Sequence, residues 1–175
     1  MVVLATVYPC NARCPNCPYT EGNSDIRLKY ADAPFMDEGL FRKIAEECGQ
    51  YGSFVRITGG GEPMMHPADM AALIEHARAS GARVWLNTNG SQLPEAKVER
   101  LLACGLDQIE FSVDAGDPDT YAIVRAGLDW GNLLRTVRFM VERRNASKAA
   151  TNIVVSVINQ DIVADRMDEI VKFWL

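Results

Sequence analysis

Short β-rich runs alternate with amphipathic helical stretches along the whole chain, at a spacing of roughly 30 residues. No other feature limits the fold as strongly. Strands joined through helices must lie parallel, because a tight turn serves only antiparallel neighbours, and such crossovers are right-handed. The strand candidates are Val2 to Tyr8, Phe54 to Thr58, Arg83 to Thr88, Gln108 to Val113 and Asn152 to Val157. Between them, Leu40, Phe41, Ile44, Ala45 and Cys48 recur at helical spacing behind Asp37, a good cap. Pro67 suits the first position of a second helix and Pro94 that of a third. Asp117-Pro118 starts a short helix. A longer one is expected from about Gly131 to Arg143-Arg144, and a last one from Asp165 to Trp174.

The pattern predicts an α/β fold, a partial (β/α) TIM-like barrel with a parallel sheet and about five to six βα units. A full eight-unit barrel takes about 250 residues, whereas this chain has 175. No linker, low-complexity tract or charge block divides residues 1–175, so they read as one domain. The apolar ending Phe173-Trp174-Leu175 makes the chain read as a fragment of a longer protein that lacks its C-terminal extension. With 48% hydrophobic and 23% charged residues, the composition is that of a globular protein. No apolar run reaches the roughly 18–20 residues that would span a bilayer. A net charge of −5 argues against nucleic acid and anionic membranes as partners.

In parallel α/β folds the ligand sits at the carboxyl ends of the strands. Here the residues just after the strands are the unusual ones: a cysteine loop, a triple glycine with Glu62, Asn87 to Gly90, and Ser112 to Asp114. Cys10, Cys14 and Cys17 are spaced C-x₃-C-x₂-C, and Pro15 and Pro18 stiffen the loop. Without an export signal, an odd count of five cysteines points to metal or redox chemistry rather than to disulfides. Three thiolates from one loop can converge on a polynuclear centre. A structural zinc site wants four ligands, as does a cluster that only transfers electrons. The competing reading is a zinc knuckle completed by Cys48, Cys104, His66 or His76. Cys48 and Cys104, however, fall on apolar helix faces, where a thiol behaves as a small hydrophobe. Gly59-Gly60-Gly61-Glu62-Pro63 lets a ligand approach bare backbone. It is no phosphate-binding loop, since no Gly-Lys-Ser/Thr follows.

C-x₃-C-x₂-C after the first strand, with Gly-Gly-Glu-Pro after the second, resembles the radical SAM superfamily, and the resemblance covers essentially the whole chain. The stretch Asp117 to Gly127 resembles members with a C-terminal SPASM or twitch extension. One departure is Asn16, where most members place an aromatic residue near the adenine; Tyr19 is a candidate stand-in.

The resemblance implies that Cys10, Cys14 and Cys17 hold a [4Fe–4S] cluster whose fourth iron binds S-adenosyl-L-methionine. It implies a 5′-deoxyadenosyl radical that takes hydrogen from a substrate, either a peptide or a small natural product, and an electron donor protein as partner. Gly60, Gly61 and Glu62 match the motif beside the methionine ammonium, and Glu62 can also satisfy N–H groups of the following helix start. Ser112 matches a position contacting the ribose or carboxylate end, its alternative being a satisfied inward hydroxyl. Asp114 either orients ribose or substrate or caps the next turn. Arg125 either pairs with the cofactor carboxylate or is a plain surface arginine. Asn89 is expected in an Asx turn with Gly90. No residue is assigned as a catalytic base. Oxygen lability of such a cluster suggests a reducing cytoplasm. Two other functions remain open at this point: a non-catalytic zinc or cluster-pinned binding module, and an inactive homologue serving as a partner-binding scaffold.

Overall fold

A computed structural model of the chain describes residues 1–20 and 32–175. Among these residues the strands are Val2–Leu4 (β1), Phe54–Ile57 (β2), Arg83–Thr88 (β3), Gln108–Ser112 (β4) and Asn152–Ser156 (β5). The helices are Glu38–Gln50 (α1), Met70–Ala79 (α2), Glu95–Ala103 (α3), Pro118–Val124 (α4), Trp130–Ser147 (α5) and Met167–Trp174 (α6). All neighbouring strands pair parallel, in the order β1-β2-β3-β4-β5. Stepping the same way at every right-handed crossover puts every intervening helix on one face of the sheet. That is a barrel wall, whereas a doubly wound sheet would reverse its strand order.

Alternation along the strands divides the two faces. Val55, Ile57, Val84, Leu86, Ile109 and Phe111 are fully buried and belong to the main core with Phe41, Leu73, Ile74 and Leu101 of the helices. The opposite face carries polar groups. Arg56 lies over the Trp85 ring at 4.3 Å, donates to Asn87 Oδ1 at 2.9 Å, and pairs with Glu110 at 3.3 Å. Ser112 follows Glu110 on this face, two residues further along β4.

The elements fall where the periodicity puts them, and the boundaries move for local reasons. β1 stops at Leu4 rather than continuing to Tyr8. Beyond Thr58 the neighbouring chain swings away through Gly59 and Gly60, both at positive φ, so no parallel ladder is on offer. The backbone instead makes isolated bridges from Val7 to Phe35 and Gly60, and Tyr8 N donates to Pro34 O. Helix α2 begins at Met70, not Pro67, because the Asp69 carboxylate caps Ala71 N. Pro94 sits just before α3 as its cap residue. Asp129 starts α5 a residue early, and Lys148 in the left-handed region ends it three residues beyond Arg144. The final helix α6 is preceded by a short 3-10 turn, Ala164–Arg166.

Candidate functional site

A cavity of about 250 Å³ opens at the carboxyl ends of the strands. Its wall includes Cys10, Cys14 and Cys17, the stretch Gly59 to Pro63, and Ser112. The structure thus gathers most of the expected residues around one space, close in size to the smaller small-molecule sites.

The cysteine loop is fixed by its neighbours rather than by regular structure. Arg13 N donates to Ala126 O at 2.7 Å, tying the loop to the chain after α4. Asn11 Nδ2 donates to Ser91 Oγ at 2.8 Å, and Asn11 Oδ1 accepts from Asn89 Nδ2 at 3.0 Å. Two successive turns, Cys17 N to Cys14 O and Thr20 N to Cys17 O, wind the last two cysteines inward, and Thr20 Oγ1 also holds Cys14 O. All three cysteines are half-buried, and none of the chain's five forms a disulfide. Burial pushes the Cys10 thiol up, against the opposing pull of the Ala12 N–H. Burial also pushes Cys14 up, opposed by the Arg125 charge and hydrogen bond. Metal binding at such thiols must release their protons.

The glycines bring the second wall within touching distance of the first. A Cβ on Gly60 would stand 2.3 Å from Val7 O, and one on Gly61 would stand 2.0 Å from Pro9 O. Glu62 N donates to Pro9 O at 3.0 Å, so the two loops are stitched backbone to backbone. The Glu62 carboxylate is buried, with three donors on it: Met64 N at 3.0 Å, Thr88 Oγ1 at 2.6 Å and Asn89 N at 2.7 Å. Desolvation raises its pKa, and these same hydrogen bonds oppose the rise. The helix-start role of Glu62 is present in the bond to Met64 N, where it caps the 3-10 turn Pro63–Met65. The bonds to Thr88 and Asn89 link β2 to β3, and nothing local in the sequence announced them.

Ser112 is half-buried on the cavity wall. Asp114 and Arg125 do not line it. They form a buried pair, Arg125 Nη2 to Asp114 Oδ2 at 2.7 Å, so Arg125 is not a surface residue. Asp114 has φ of 59° and accepts from Ile158 N at 2.7 Å, which anchors the chain after β5. Arg125 Nη1 reaches Cys14 Sγ at 3.8 Å. Asn89 makes the expected Asx turn, its Oδ1 accepting from Ser91 N at 2.9 Å. Asn16 contacts Gln160, and Tyr19 lines the cavity with its ring 6.2 Å from that of Tyr8. Asn87 and Thr88 of the expected rim also line it, as does Thr58, which the sequence reading did not place there. Their signal was positional, since each stands at or beside the carboxyl end of a strand.

The four side chains weighed as a fourth zinc ligand are buried or hydrogen-bonded elsewhere. Cys48 is buried in α1, and Cys104 is buried with its thiol pushed up to about 11 and donating to Leu101 O. A His66 ring nitrogen lies 2.9 Å from Met36 O, and His76 meets Glu46 at 3.0 Å. Among the described residues, no group of three His, Cys, Asp or Glu side chains, the three loop cysteines included, is placed to hold a single metal ion.

A family model described as the Radical SAM superfamily matches residues 6–166. A curated relative, PqqA peptide cyclase of Xanthomonas campestris pv. campestris (strain B100), is 31% identical over 117 residues, covering 67% of this chain and 29% of the relative. The chain thus spans under a third of that protein's length. The solved structure "Native anSMEcpe with bound AdoMet" superposes with a TM-score of 0.76 at 16% identity, covering 98% of this chain and 47% of that one. "Native anSMEcpe with bound AdoMet and Kp18Cys peptide" gives 0.76 at 17% identity, with 98% and 46% covered. This likeness agrees with the expected partial (β/α) barrel.

Proposed function

Because the chain belongs to the radical SAM superfamily, we propose that residues 1–175 form the catalytic core domain of a radical enzyme acting on a peptide. The family uses a [4Fe–4S] cluster and S-adenosyl-L-methionine. The observation that carries the reading is the shared cavity: three half-buried cysteines of one loop face the bare backbone of Gly60 and Gly61 across a space of ligand size. Cys10, Cys14 and Cys17 would hold the cluster, and three protein thiolates for four irons would leave it able to bind the cofactor. When bound, the cluster and S-adenosyl-L-methionine would supply radical chemistry able to take a hydrogen atom from an unactivated C–H bond.

The chain's own residues bind, orient and exclude water. Gly60 and Gly61 present backbone on the cavity wall to the methionine end, the Gly61 N–H itself being donated to Gly59 O at 2.9 Å. Glu62, held by three donors, ties that backbone to β3. Ser112 presents a hydroxyl to the ribose or carboxylate end, and Tyr19 offers a ring to the adenine in place of the aromatic residue that Asn16 replaces. Asp114 and Arg125 support the cluster side of the cofactor site from behind. The fit is tested by the donor set: a mononuclear zinc site would need a fourth ligand, and of the four candidates Cys48 is buried in α1 while the others are hydrogen-bonded elsewhere.

A peptide substrate is favoured by the relative named PqqA peptide cyclase and by the peptide in the second superposed structure. Catalysis in a reducing cytoplasm with an electron donor protein completes the proposal; among the described residues no helix is long and apolar enough to cross a membrane. Anaerobic reconstitution with iron and sulfide tests it. About four irons per chain, and 5′-deoxyadenosine formed from S-adenosyl-L-methionine and dithionite, are expected. Stoichiometric zinc that resists exchange, with no cleavage of the nucleotide, would reject it.

A further inference from the structure

Arg125 is a cation held against the cysteine loop from behind, and its surroundings leave it little freedom. Its Nη2 lies 2.7 Å from Asp114 Oδ2, the two side chains being 14% and 6% exposed. Asp114 is itself immobilised, since its other oxygen accepts from Ile158 N and its backbone sits in the left-handed region. On the far side of the guanidinium, Nη1 donates to Cys14 Sγ at 3.8 Å. The backbone repeats the link: Arg125 N is bonded to Tyr121 O at the end of α4, and Arg13 N to Ala126 O. Arg125 Nε is buried and has no hydrogen-bond partner among the described residues, a donor aligned with no acceptor of the protein itself. A surface arginine would show none of this, and an arginine serving only the nucleotide would line the cavity, which Arg125 does not.

We propose that Arg125, clamped by Asp114, is a positioning residue that hydrogen-bonds the Cys14 sulfur and thereby sets the reduction potential of the cluster. The inference rests on the cluster assignment above. An N–H donated to a ligating sulfur draws electron density from it, and a nearby cation favours the more negative, reduced state. Removing Arg125 takes away both effects and leaves the Asp114 charge unpaired, so every consequence pushes the couple the same way, towards the oxidised cluster.

The test uses the anaerobically reconstituted wild type, Arg125→Gln and Arg125→Lys. Iron and sulfide are counted, and the cluster is titrated by paramagnetic resonance at fixed potentials, first without and then with S-adenosyl-L-methionine. In Arg125→Gln the reduction equilibrium is expected to shift at least tenfold towards the oxidised form, about 59 mV for a one-electron couple, at an unchanged iron count. Arg125→Lys, which keeps the charge without the fork, should fall between the two. Equal potentials in all three proteins would overturn the proposal. So would unchanged potentials with only a weaker spectral response to the nucleotide, which would assign Arg125 to the cofactor carboxylate instead. Failure of both variants to load iron would also overturn it, making Arg125 a structural support. A wild type that takes up no cluster is a different result, since it rejects the cluster assignment itself.

Discussion

Gly61→Ala isolates the close approach on which the cavity depends. Gly61 does not have a positive φ, so alanine costs nothing in backbone conformation there, and the whole penalty is steric. The new Cβ would stand 2.0 Å from Pro9 O, 2.6 Å from Pro9 C and 2.6 Å from Tyr8 O, whereas real Cβ contacts essentially never fall below 3.0 Å. All three are backbone atoms, so no side chain can rotate away. The Tyr8-Pro9 segment must retreat by about an ångström or more, and Cys10 follows it directly. Overpacking of this kind costs about 1–3 kcal/mol. The Glu62 N to Pro9 O bond is lost in the same movement, at about 1 kcal/mol. A total of about 2–4 kcal/mol corresponds to a fall in Tm of roughly 4–16 °C for a domain of this size. Thermal unfolding of the cluster-free protein by circular dichroism measures that fall, and iron uptake on reconstitution should drop with it. Gly59→Ala is the control: its Cβ would meet nothing closer than 3.9 Å, so only the strain of φ +80° remains. If Gly61→Ala melts within 2 °C of wild type and loads iron normally, the close-approach argument is wrong.

Other perturbations separate the remaining contributions. Alanine at Cys10, Cys14 or Cys17 singly should abolish a stable cluster while moving the Tm of the cluster-free protein little, as half-buried residues leave small cavities; iron analysis beside a melting curve checks both halves. Asp114→Ala strips Arg125 of its buried partner and Ile158 N of its acceptor, so a loss of about 3–5 kcal/mol in denaturant unfolding is expected. The exposed pair Arg135–Asp129 offers the contrast, and Arg135→Ala should cost under about 0.5 kcal/mol. Glu62 gives a pH signature. Its folded pKa is raised, so between the unfolded value, about 4.3, and the folded one the native state binds more protons than the unfolded state. Its contribution is therefore fully present below the unfolded value and lost as pH rises through the folded one. The wild-type minus Glu62→Gln difference in Tm should decline with pH above that point, and a flat difference from pH 4 to pH 8 would contradict the desolvation argument.

Much of the architecture was legible because it is local. Helical and two-residue periodicities placed five strands and the helices between them, and the need for crossovers then made the sheet parallel. The ends of elements were less legible. Whether Pro67 or Asp69 begins α2 depends on which side chain finds a free N–H, and β1 stops at Leu4 because a neighbouring strand bends away at Gly59 and Gly60. Neither fact is written in the residues that it affects.

The sequence by itself determined the chemistry on offer: three sulfur donors within one short loop, a run of glycines after the next strand, and too few cysteines nearby for a closed tetrahedral site. Spacing along a chain limits what a loop can grip, so that much needs no coordinates. Only the tertiary structure decided what stands behind those groups. Glu62 meets Thr88 and Asn89 across 26 and 27 positions of sequence, and Arg125 meets Cys14 across 111. Such partners are chosen by the order and register of parallel strands, which bring the carboxyl ends of distant segments to one rim. The buried charges behind the site therefore belong to the fold, while its sulfur groups belong to the loop.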